Sequence, residues 1–334
     1  MSTVLVTGGA GFIGSHICES LVKKSHTVFA MDDLSGGNEN NVPKEAMFIL
    51  MDICDKHKLN EFFERYQIDY IIHAAAYAAE GLSHFIRNYN YNNNLIGSTN
   101  LINCAVNSDV KCFVFLSSIA VYGHGKPPFN EDMKPDPCDP YGIAKYSVEM
   151  DLKAANEMWG LPYVIFRPHN VYGERQNLSD PYRNVIGLFM NNHMLGKPLN
   201  IFGDGTQTRA FSYIDDVAPV IAESIDVPEC WNQTFNIGGS VPCSVNELAI
   251  LICGIMGDSS HPIKYLPARN EVQHAYCDHY NVRKYFGTMI KGIPLLAGLK
   301  RMAEWAKTQE PKQGQKFSPL DITKKLPPSW SEIV

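Results

Sequence analysis

The sequence lacks a long apolar run, a block of basic residues and closely spaced cysteine pairs. No run approaches the about 18 consecutive apolar residues that cross a bilayer, so we expect no membrane span. The net charge of −6 argues against nucleic acid or an anionic membrane as the main partner. Nine cysteines without a C-x-x-C spacing indicate reduced thiols, which are typical of a cytoplasmic protein.

Metal-ligand spacings, internal repeats and low-complexity tracts are missing as well. We therefore expect no bound metal ion, because metal sites need clustered His, Cys, Asp or Glu side chains. The first strand-like run begins at Thr3, which leaves no room for a targeting peptide before it and again favours the cytoplasm. The remaining composition, 45% hydrophobic and 19% charged over 334 residues, fits one large domain or two joined domains.

Up to residue 167, short runs rich in Val, Ile and Phe alternate with helical patterns. The predicted strands are 4–6, 28–31, 47–50, 70–73, 112–116 and 163–166, and the predicted helices lie near 12–24, 56–66, 92–107 and 142–158. Apolar strands separated by helices indicate a parallel sheet that is covered on both faces. We predict an α/β fold, a Rossmann-type doubly wound parallel sheet over residues 1–167.

Beyond residue 168 this alternation ends, which predicts a smaller C-terminal α/β lobe over 168–307. Its predicted strands are 199–202, 234–236 and 263–266, and its predicted helices are 184–195, 214–226, 244–256 and 294–307. Strands can interleave between the two parts. The polar, proline-containing residues 308–334 are predicted to form a C-terminal tail, with 309–316 on the surface.

The first strand runs directly into glycines: Thr7-Gly8-Gly9-Ala10-Gly11-Phe12-Ile13-Gly14. This fits the dinucleotide fingerprint, whose glycines allow a tight turn, a close approach to a pyrophosphate and close packing of helix on strand. Asp32 follows Gly14 by eighteen residues, at the end of the next apolar run. A carboxylate there accepts hydrogen bonds from ribose hydroxyls and repels a 2′-phosphate, which predicts NAD rather than NADP. A glycine-rich turn with an ordinary loop aspartate is the alternative interpretation.

A second motif follows the predicted strand 112–116: Ser118, and twenty-three residues later Tyr141-Gly-Ile-Ala-Lys145. Tyrosine and lysine at i and i+4 share one face of a helix. A phenol has a pKa near 10 and is a poor base at neutral pH, so a lysine ammonium and a nicotinium ring nearby would favour the phenolate. Tyr-x-x-x-Lys is common by chance. After a dinucleotide fingerprint and a strand-end serine, it predicts a catalytic Ser118, Tyr141 and Lys145.

With these motifs the chain resembles the extended short-chain dehydrogenase/reductases that act on nucleotide sugars. The similar segments are 7–14, 52–53, 73–76, 94–98, 117–123, 141–145, 167–173, 202–217 and 235–238. They span about residues 1–307 and are specific for the family, but much less so for the substrate.

The resemblance implies which residues bind NAD. Asp52 and Ile53 would flank the adenine, Asn93 or Asn94 would order the helix beside the nicotinamide half, and Pro168 and His169 would approach the carboxamide. The implied set comprises Gly8, Gly11, Phe12, Ile13, Gly14, Asp32, Asp33, Ser35, Gly36, Asp52, Ile53, Ala74, Ala75, Ala76, Asn93, Ser117, Tyr141, Lys145, Pro168 and His169. His73, which ends a core strand, is expected to be buried and hydrogen-bonded rather than catalytic.

The resemblance also implies a nucleotide-diphospho-sugar as substrate. Ser118 and Tyr141 would contact the reacting sugar, and the nucleoside diphosphate would lie against Asn170, Asn184, Arg209 and Arg269. A guanidinium fork matches diphosphate oxygens. Two structural alternatives remain open, since Asn170 could cap a turn and Arg209 could pair with Asp215 or Asp216. Relatives form homodimers through two helices per subunit, here near 92–107 and 142–158.

Family members share NAD-dependent oxidation at C4 of the sugar and differ in the next step. Dehydratases carry an acid–base pair directly after the active-site Ser or Thr, decarboxylases usually carry a Glu in that segment, and 3,5-epimerases place a cysteine there. This chain has Ile119 and Ala120, which cannot transfer protons. We therefore predict a 4-epimerase, most simply of a UDP-hexose. The alternatives are a dehydratase or C3/C5 epimerase with relocated groups and, less favoured, a non-catalytic NAD-binding sensor.

One segment leaves the sugar open. Glu80, Ser83 and His84 lie in a stretch expected to face the hexose, where UDP-galactose epimerases often show a basic residue. Glu80 would disfavour an anionic sugar if it points inward, and it could equally be a solvated loop charge.

Overall fold

The computed structural model describes residues 1–268, 272–327 and Trp330. Within this part a parallel sheet of seven strands has helices on both faces. The strands are β1 Thr3–Thr7, β2 Thr27–Asp32, β3 Met47–Leu50, β4 Tyr70–His73, β5 Cys112–Leu116, β6 Tyr163–Pro168, β7 Val171–Tyr172, β8 Leu199–Phe202, β9 Thr208–Ala210, β10 Ser212–Tyr213, β11 Gln233–Ile237, β12 Pro242–Ser244, β13 Ile263–Leu266 and β14 His274–Ala275.

The helices cover both faces of this sheet and build most of the second half. They are α1 Phe12–Lys23, α2 Lys56–Arg65, α3 Glu80–Ser83, α4 Arg87–Tyr91, α5 Gly97–Asn107, α6 Pro140–Trp159, α7 Val185–Met194, α8 Ala218–Glu223, α9 Val245–Met256, α10 Tyr280–Phe286 and α11 Leu295–Ala306. None of the helices in the described residues is both long and apolar enough to cross a membrane.

The predicted doubly wound fold is confirmed. The strand order is β11-β6-β5-β4-β1-β2-β3. From β1 the chain first builds β2 and β3 toward one edge of the sheet, and it then crosses back to add β4 and the later strands on the other side of β1. The central strands are apolar on both faces because helices cover both, and β5 is buried throughout. In such a sheet a crevice opens at the carboxyl ends of the strands where the winding direction changes.

Two predicted helices differ from the structure. The helix predicted near 92–107 is preceded by α4, and residues Asn92–Ile96 form a π-helical turn before α5. The helix predicted near 214–226 is broken, with a 3-10 turn at Ile214–Asp216 before α8. Pro219 lies in the first turn of α8, and proline has no N–H and clashes with the carbonyl four residues earlier, so one continuous helix cannot form.

The second half of the chain does not form a fully separate unit. β11 pairs in parallel with β6 and is the edge strand of the main sheet. The smaller sheets pair β13 with β8, β10 with β7, and β9 with both β12 and β14. The division near residue 167 therefore stays a prediction, with one strand of the second segment interleaved into the sheet of the first.

The C-terminal segment, defined here as residues 309–327 with Trp330, is exposed at its start and then packs on the molecule. Phe317, Leu320 and Leu326 pack against a small apolar cluster that contains Leu82 and Ile86. Backbone hydrogen bonds run from Asp321 and Ile322 to the carbonyl oxygen of Phe85, and Asp321 accepts from the backbone N–H of Asn88. The segment thereby covers the stretch between β4 and α5.

Candidate active site

A cavity of about 1740 Å³ lies at the carboxyl ends of the main-sheet strands, between the sheet and the second half of the chain. It is lined by most of the residues that the sequence places at the site: Gly8, Gly11, Phe12, Ile13, Gly14, Asp32, Asp33, Ser35, Gly36, Asp52, Ile53, Ala74, Ala75, Ala76, Asn93, Ser117, Ser118, Tyr141, Lys145, Pro168, Asn170, Asn184 and Arg209. The structure thus brings together residues that are up to two hundred positions apart in the sequence.

Two predicted residues are not placed at this cavity. Arg269 lies outside the described residues. His169 is described but does not line the cavity, because its ring points into the protein. Its Nδ1 donates to the carbonyl oxygen of Ala210 at 3.0 Å, and its Nε2 lies 3.0 Å from Nε2 of His279. Burial lowers the pKa of His169 to about 4, so the ring is neutral.

The glycine loop leaves room where a dinucleotide needs it. Gly8 has a φ of +69°, and a Cβ there would lie 2.7 Å from the backbone nitrogen of Ala75. A Cβ on Gly14 would overlap the carbonyl oxygen of Gly8. The backbone N–H groups at the start of α1 face the cavity and offer donors and a positive dipole end to a pyrophosphate. These residues fit a dinucleotide.

Asp32 is held at the end of β2 by two backbone donors. Its Oδ2 accepts from Ala10 N at 3.1 Å and its Oδ1 from Leu34 N at 2.8 Å. Burial raises the pKa of the carboxyl group, and these hydrogen bonds oppose the rise. The carboxylate is therefore fixed in orientation at the cavity wall, as a ribose acceptor needs to be.

Ser118 and Tyr141 meet because a strand end and a helix start lie side by side. Ser118 follows β5 and caps a 3-10 turn by accepting from Ala120 N at 3.1 Å. Tyr141 lies in the first turn of α6, whose N-cap Asp139 accepts from Gly142 N at 2.9 Å. The Ser118 hydroxyl lies close enough to the Tyr141 phenol to lower its pKa.

The electrostatics of the phenol differ from the expectation. Burial raises the pKa of Tyr141, the carboxylate of Glu80 raises it further, and the Ser118 hydrogen bond opposes both. Lys145 Nζ lies 5.9 Å from the centroid of the Tyr141 ring and donates to the carbonyl oxygen of Leu116 at 2.8 Å. Burial lowers the pKa of Lys145 itself to about 7, with Glu149 acting in the opposite sense. Burial, Glu80 and Asp139 outweigh Ser118 and Arg183, so the pKa of the phenol lies above its usual value. The lowering expected from Lys145 together with a bound nicotinium ring stays a prediction.

Sequence reasoning missed a buried polar network beneath these residues. Glu149 accepts from the Ser117 hydroxyl at 2.5 Å and from Nε of Arg167 at 2.9 Å. Arg167 Nη1 donates to the Tyr122 hydroxyl at 2.8 Å, which donates to Asn236 Oδ1 at 2.8 Å. Glu149 follows Lys145 by four residues, so the same helical spacing that relates Tyr141 to Lys145 was the available signal.

The segment expected to face the hexose docks on the start of α6. Ser83 Oγ accepts from Tyr141 N at 3.3 Å and donates to the carbonyl oxygen of Glu80 at 2.6 Å. Ser83 is therefore a structural link between α3 and α6. Glu80 and His84 line the cavity near Tyr141 and Asp139.

The described residues expected to bind the nucleoside diphosphate also line the cavity. Asn170 has a φ of 42° and donates from Nδ2 to the carbonyl oxygen of Ala210 at 3.2 Å. Asn184 precedes α7, and its side chain makes no capping hydrogen bond. Arg209 donates to the carbonyl oxygens of Val272 and Gln273.

The alternative pairing of Arg209 with Asp215 or Asp216 is not found. Asp215 pairs with Arg301 at 3.2 Å. Asp216 accepts from the backbone N–H groups of residues 291–293. The guanidinium of Arg209 is thus oriented by backbone carbonyls rather than neutralised by these carboxylates.

His73 is fully buried, as the sequence predicts. Its Nδ1 lies 2.7 Å from Thr7 Oγ1 and its Nε2 lies 2.8 Å from Ser98 Oγ. Both ring nitrogens are therefore occupied by hydroxyl groups. Burial lowers the pKa of the ring well below its usual value, so His73 is a neutral structural residue.

Three potential metal ligands, His193, Asp258 and His261, come within 4.8 Å of one another away from this cavity. The two imidazole rings stack with centroids 4.2 Å apart and an angle of 26° between their planes. Ring-nitrogen lone pairs lie in the ring planes, so nearly parallel rings do not converge on one ion. His261 Nε2 also donates to the carbonyl oxygen of Lys197 at 2.8 Å. Nε2 of His193 is buried and has no hydrogen-bond partner among the described residues.

The fold and the site together define a dinucleotide-dependent enzyme of the Rossmann class. Residues 4–238 match the model of the NAD dependent epimerase/dehydratase family. The chain is 36% identical over 310 residues to a putative UDP-glucose 4-epimerase of Methanocaldococcus jannaschii, covering 91% of this chain and 98% of the relative. The chain belongs to this family of NAD-dependent nucleotide-sugar enzymes, and its cofactor is NAD.

Solved structures agree with this assignment. The UDP-glucose 4-epimerase of Thermotoga maritima with UDP-glucose superposes with a TM-score of 0.86 at 34% identity, covering 91% of this chain and 98% of that chain. A UDP-N-acetylglucosamine 4-epimerase from Methanobrevibacter ruminantium gives 0.84 at 31% identity, with 92% and 99% coverage. Other similar proteins are named dTDP-D-glucose 4,6-dehydratase and UDP-N-acetyl-alpha-D-glucosaminuronate decarboxylase. Family membership alone therefore does not select the reaction.

Proposed function

We propose that the protein epimerises a nucleotide-diphospho-sugar at C4 through a transient 4-keto sugar. The observation that carries this proposal is the identity of the two residues that follow Ser118. Ser118 and Tyr141 lie close together at the cavity, while the two positions after Ser118 hold the buried side chains of Ile119 and Ala120. A site that can move the C4 hydroxyl proton but has no acid or base at these positions favours reduction of the ketone over elimination.

Each polar residue has a role in this reaction. Tyr141 would accept the proton of the C4 hydroxyl as the phenolate, which the positive charge of a bound nicotinium ring favours, and would return it after the sugar has presented its other face. Ser118 would hold the reacting oxygen by a hydrogen bond. Lys145 lies on the same face of α6 and supplies a donor toward the ribose of the cofactor. Bound at the glycine loop and Asp32, NAD would supply a hydride acceptor and then a hydride donor for C4, with no net redox change.

UDP-hexoses are the first substrates to test. The M. jannaschii relative and the T. maritima structure both carry the name UDP-glucose 4-epimerase. The wall formed by Asn170, Asn184 and Arg209 offers amide and guanidinium donors of the kind that bind a diphosphate. UDP-glucose and UDP-galactose are therefore the expected pair.

A second candidate is favoured by Glu80. This carboxylate lines the cavity and lies close enough to Tyr141 to raise its pKa. A carboxylate beside the reacting sugar could serve as the proton carrier that a 4,6-dehydratase or a C3/C5 epimerase needs. A non-catalytic NAD sensor is the weaker alternative, because binding alone does not require Ser118, Tyr141 and Lys145 together.

The experiment is incubation of the purified enzyme with a panel of UDP-, dTDP- and GDP-hexoses, followed by proton NMR of the products. We expect the C4 epimer of one UDP-hexose to form from either direction. Accumulation of a 4-keto-6-deoxy sugar would select the dehydratase instead. No product from any sugar, with NAD bound normally, would support the sensor.

We also propose that two copies pair through the outer face of α6. Ile143, Ser147, Met150 and Ala154 share one face at helical spacing, and Ile143 and Met150 are exposed. Met150→Lys is expected to give a monomer by light scattering, whereas Ile250→Lys, at an exposed apolar residue of α9, should leave the dimer intact.

All nine cysteines are thiols, and we propose a cytoplasmic location on that ground.

A further inference from the structure

The loop before α7 carries an arginine that reaches the cofactor side of the cavity. Arg183 Nη2 lies 3.4 Å from the position that a Cβ on Gly36 would occupy. A Cβ on Gly37 would in turn lie 3.0 Å from the carbonyl carbon of Ala10, within the glycine loop. The backbone at Gly36 and Gly37 therefore lies between the guanidinium of Arg183 and the glycine loop.

The side chain of Arg183 is held in place from two directions. Its Nε donates to Asp180 Oδ2 at 2.6 Å, and its guanidinium lies over the ring of Tyr77 with Cζ 4.7 Å from the centroid. Only 18% of the side chain is exposed. Asp180 also accepts from Tyr182 N at 3.0 Å through Oδ1, so the carboxylate is fixed as well.

The pairing with Asp180 uses only Nε of the Arg183 guanidinium. Among the described residues, the two Nη groups of Arg183 have no hydrogen-bond acceptor. The other arginines that line the cavity are engaged differently: Arg175 pairs with Glu19, and Arg209 donates to backbone carbonyls. A largely buried guanidinium with two donors still available fits a bidentate oxyanion, of which a diphosphate is the example found in both ligands of this family.

We propose that Arg183 binds a diphosphate and that this diphosphate is the pyrophosphate of NAD. The pyrophosphate belongs at the start of α1, beside the glycine loop that Arg183 approaches through Gly36 and Gly37. Arg183 would then close the cleft from the side opposite the helix N-terminus. The inference rests on the NAD site and does not depend on the proposed chemistry at C4.

The C-terminal segment holds this arginine in position. The Tyr182 hydroxyl accepts from Phe317 N at 3.2 Å, and the Phe317 ring packs on Tyr77 with centroids 5.4 Å apart. Phe317 thus contacts both the residue before Arg183 and the ring on which the guanidinium rests. By this inference, the segment that the sequence predicts as a tail supports cofactor binding by holding Arg183 in position.

The test is calorimetry on nucleotide-stripped enzyme with NAD, ADP-ribose, AMP and UDP as separate probes. Arg183→Met is expected to weaken NAD and ADP-ribose by roughly tenfold to a hundredfold, the usual effect of losing charge-assisted hydrogen bonds. AMP, which has no pyrophosphate, should bind almost unchanged. Arg183→Lys keeps the charge but not the planar fork of donors. Its affinity for NAD should lie between the affinities of the wild type and of Arg183→Met.

A matched control is Arg301→Met. Arg301 also pairs with an aspartate and also lies over a tyrosine ring, but it does not line the cavity. This variant should bind NAD and UDP as the wild type does. Phe317→Ala should weaken NAD by a smaller factor than Arg183→Met and leave AMP unchanged.

The two sources of diphosphate give different results. Weaker NAD with unchanged UDP supports the assignment to the cofactor. Weaker UDP with unchanged NAD keeps Arg183 as a diphosphate-binding residue but moves it to the substrate. If Arg183→Met, with a normal circular dichroism spectrum, binds NAD, ADP-ribose and UDP like the wild type, the inference is overturned. A wild-type enzyme that binds NAD normally but turns over no UDP-hexose would contradict the proposed C4 chemistry and leave this inference unaffected.

Discussion

The carboxylate of Glu149 and the guanidinium of Arg167 form a two-point ion pair that is almost fully buried beside Ser117, a residue of the candidate active site. Nε and Nη2 of Arg167 lie 2.9 and 2.5 Å from the two carboxylate oxygens. Glu149 is also the charge that opposes the lowering of the pKa of Lys145. One buried carboxylate therefore connects the core of the fold with the lysine of the active site.

Breaking this pair from one side should destabilise the fold strongly. Glu149→Leu leaves the Arg167 charge buried and uncompensated, and we expect the free energy of unfolding to fall by about 3 to 5 kcal/mol in urea denaturation. Glu149→Leu combined with Arg167→Met removes both charges and should be more stable than Glu149→Leu alone. A double variant that is as unstable as the sum of the two single variants would contradict this account.

Tyr141→Phe tests the proton carrier. The variant keeps the ring that packs at the start of α6 but loses the hydroxyl that contacts Ser118. We expect turnover to fall by roughly a hundredfold or more, the usual contribution of a positioned base, while NAD binding measured by calorimetry stays normal. Tyr146→Phe, on the same helix and outside the cavity, is the control. Near-normal activity of Tyr141→Phe would place the chemistry elsewhere.

Asp32 should decide the choice between the two nicotinamide dinucleotides. Its carboxylate is fixed at the end of β2 by Ala10 N and Leu34 N, where it can accept from ribose hydroxyls and repel a 2′-phosphate. NAD is therefore expected to bind at least about tenfold tighter than NADP. Asp32→Ala should reduce the preference for NAD over NADP. Equal affinities of the wild type for both dinucleotides, measured by calorimetry, would remove Asp32 from this role.

The buried lysine should give the nucleotide-free protein a characteristic pH dependence. The pKa of Lys145 is lowered from 10.5 in the unfolded chain to about 7 in the fold. Between these values the unfolded chain binds more protons than the folded protein, so the free energy of unfolding contributed by this group rises with pH. Relative to Lys145→Met, the wild type should gain about 2 kcal/mol in unfolding free energy from pH 7 to pH 9. A constant difference between the two proteins across this range would mean that Lys145 is charged in the fold.

Glu80 distinguishes the two candidate reactions. Glu80→Gln removes a negative charge that raises the pKa of Tyr141. For a 4-epimerase we expect activity to persist, with the acidic limb of the kcat/KM profile shifted to lower pH. In D2O the product should carry no deuterium at C3, C5 or C6, since only hydride moves. Loss of activity in Glu80→Gln, together with deuterium at C5 or C6 of the product made by the wild type, would establish proton chemistry and favour the dehydratase.

Local patterns were sufficient to predict the sheet and the core of the site. The strands at 47–50, 70–73 and 112–116 follow from apolar runs that only a sheet covered on both faces can bury. The glycine loop and the Tyr141–Lys145 spacing are encoded within a few residues, so backbone geometry and helical periodicity alone place them. The broken helix near 214–226 was missed although Pro219, a local signal, was present.

The tertiary structure decided the features that depend on residues far apart in the sequence. His169 turns away from the cavity because Ala210 and His279 offer its ring hydrogen-bond partners 41 and 110 positions away. The pKa of Tyr141 depends on Glu80, and the position of Arg183 depends on Tyr77 and on the C-terminal segment. Periodicity and motif spacing report which way a residue faces on its own element. They carry no information about which distant charge or ring is packed against it, and that packing sets burial, hydrogen bonding and pKa.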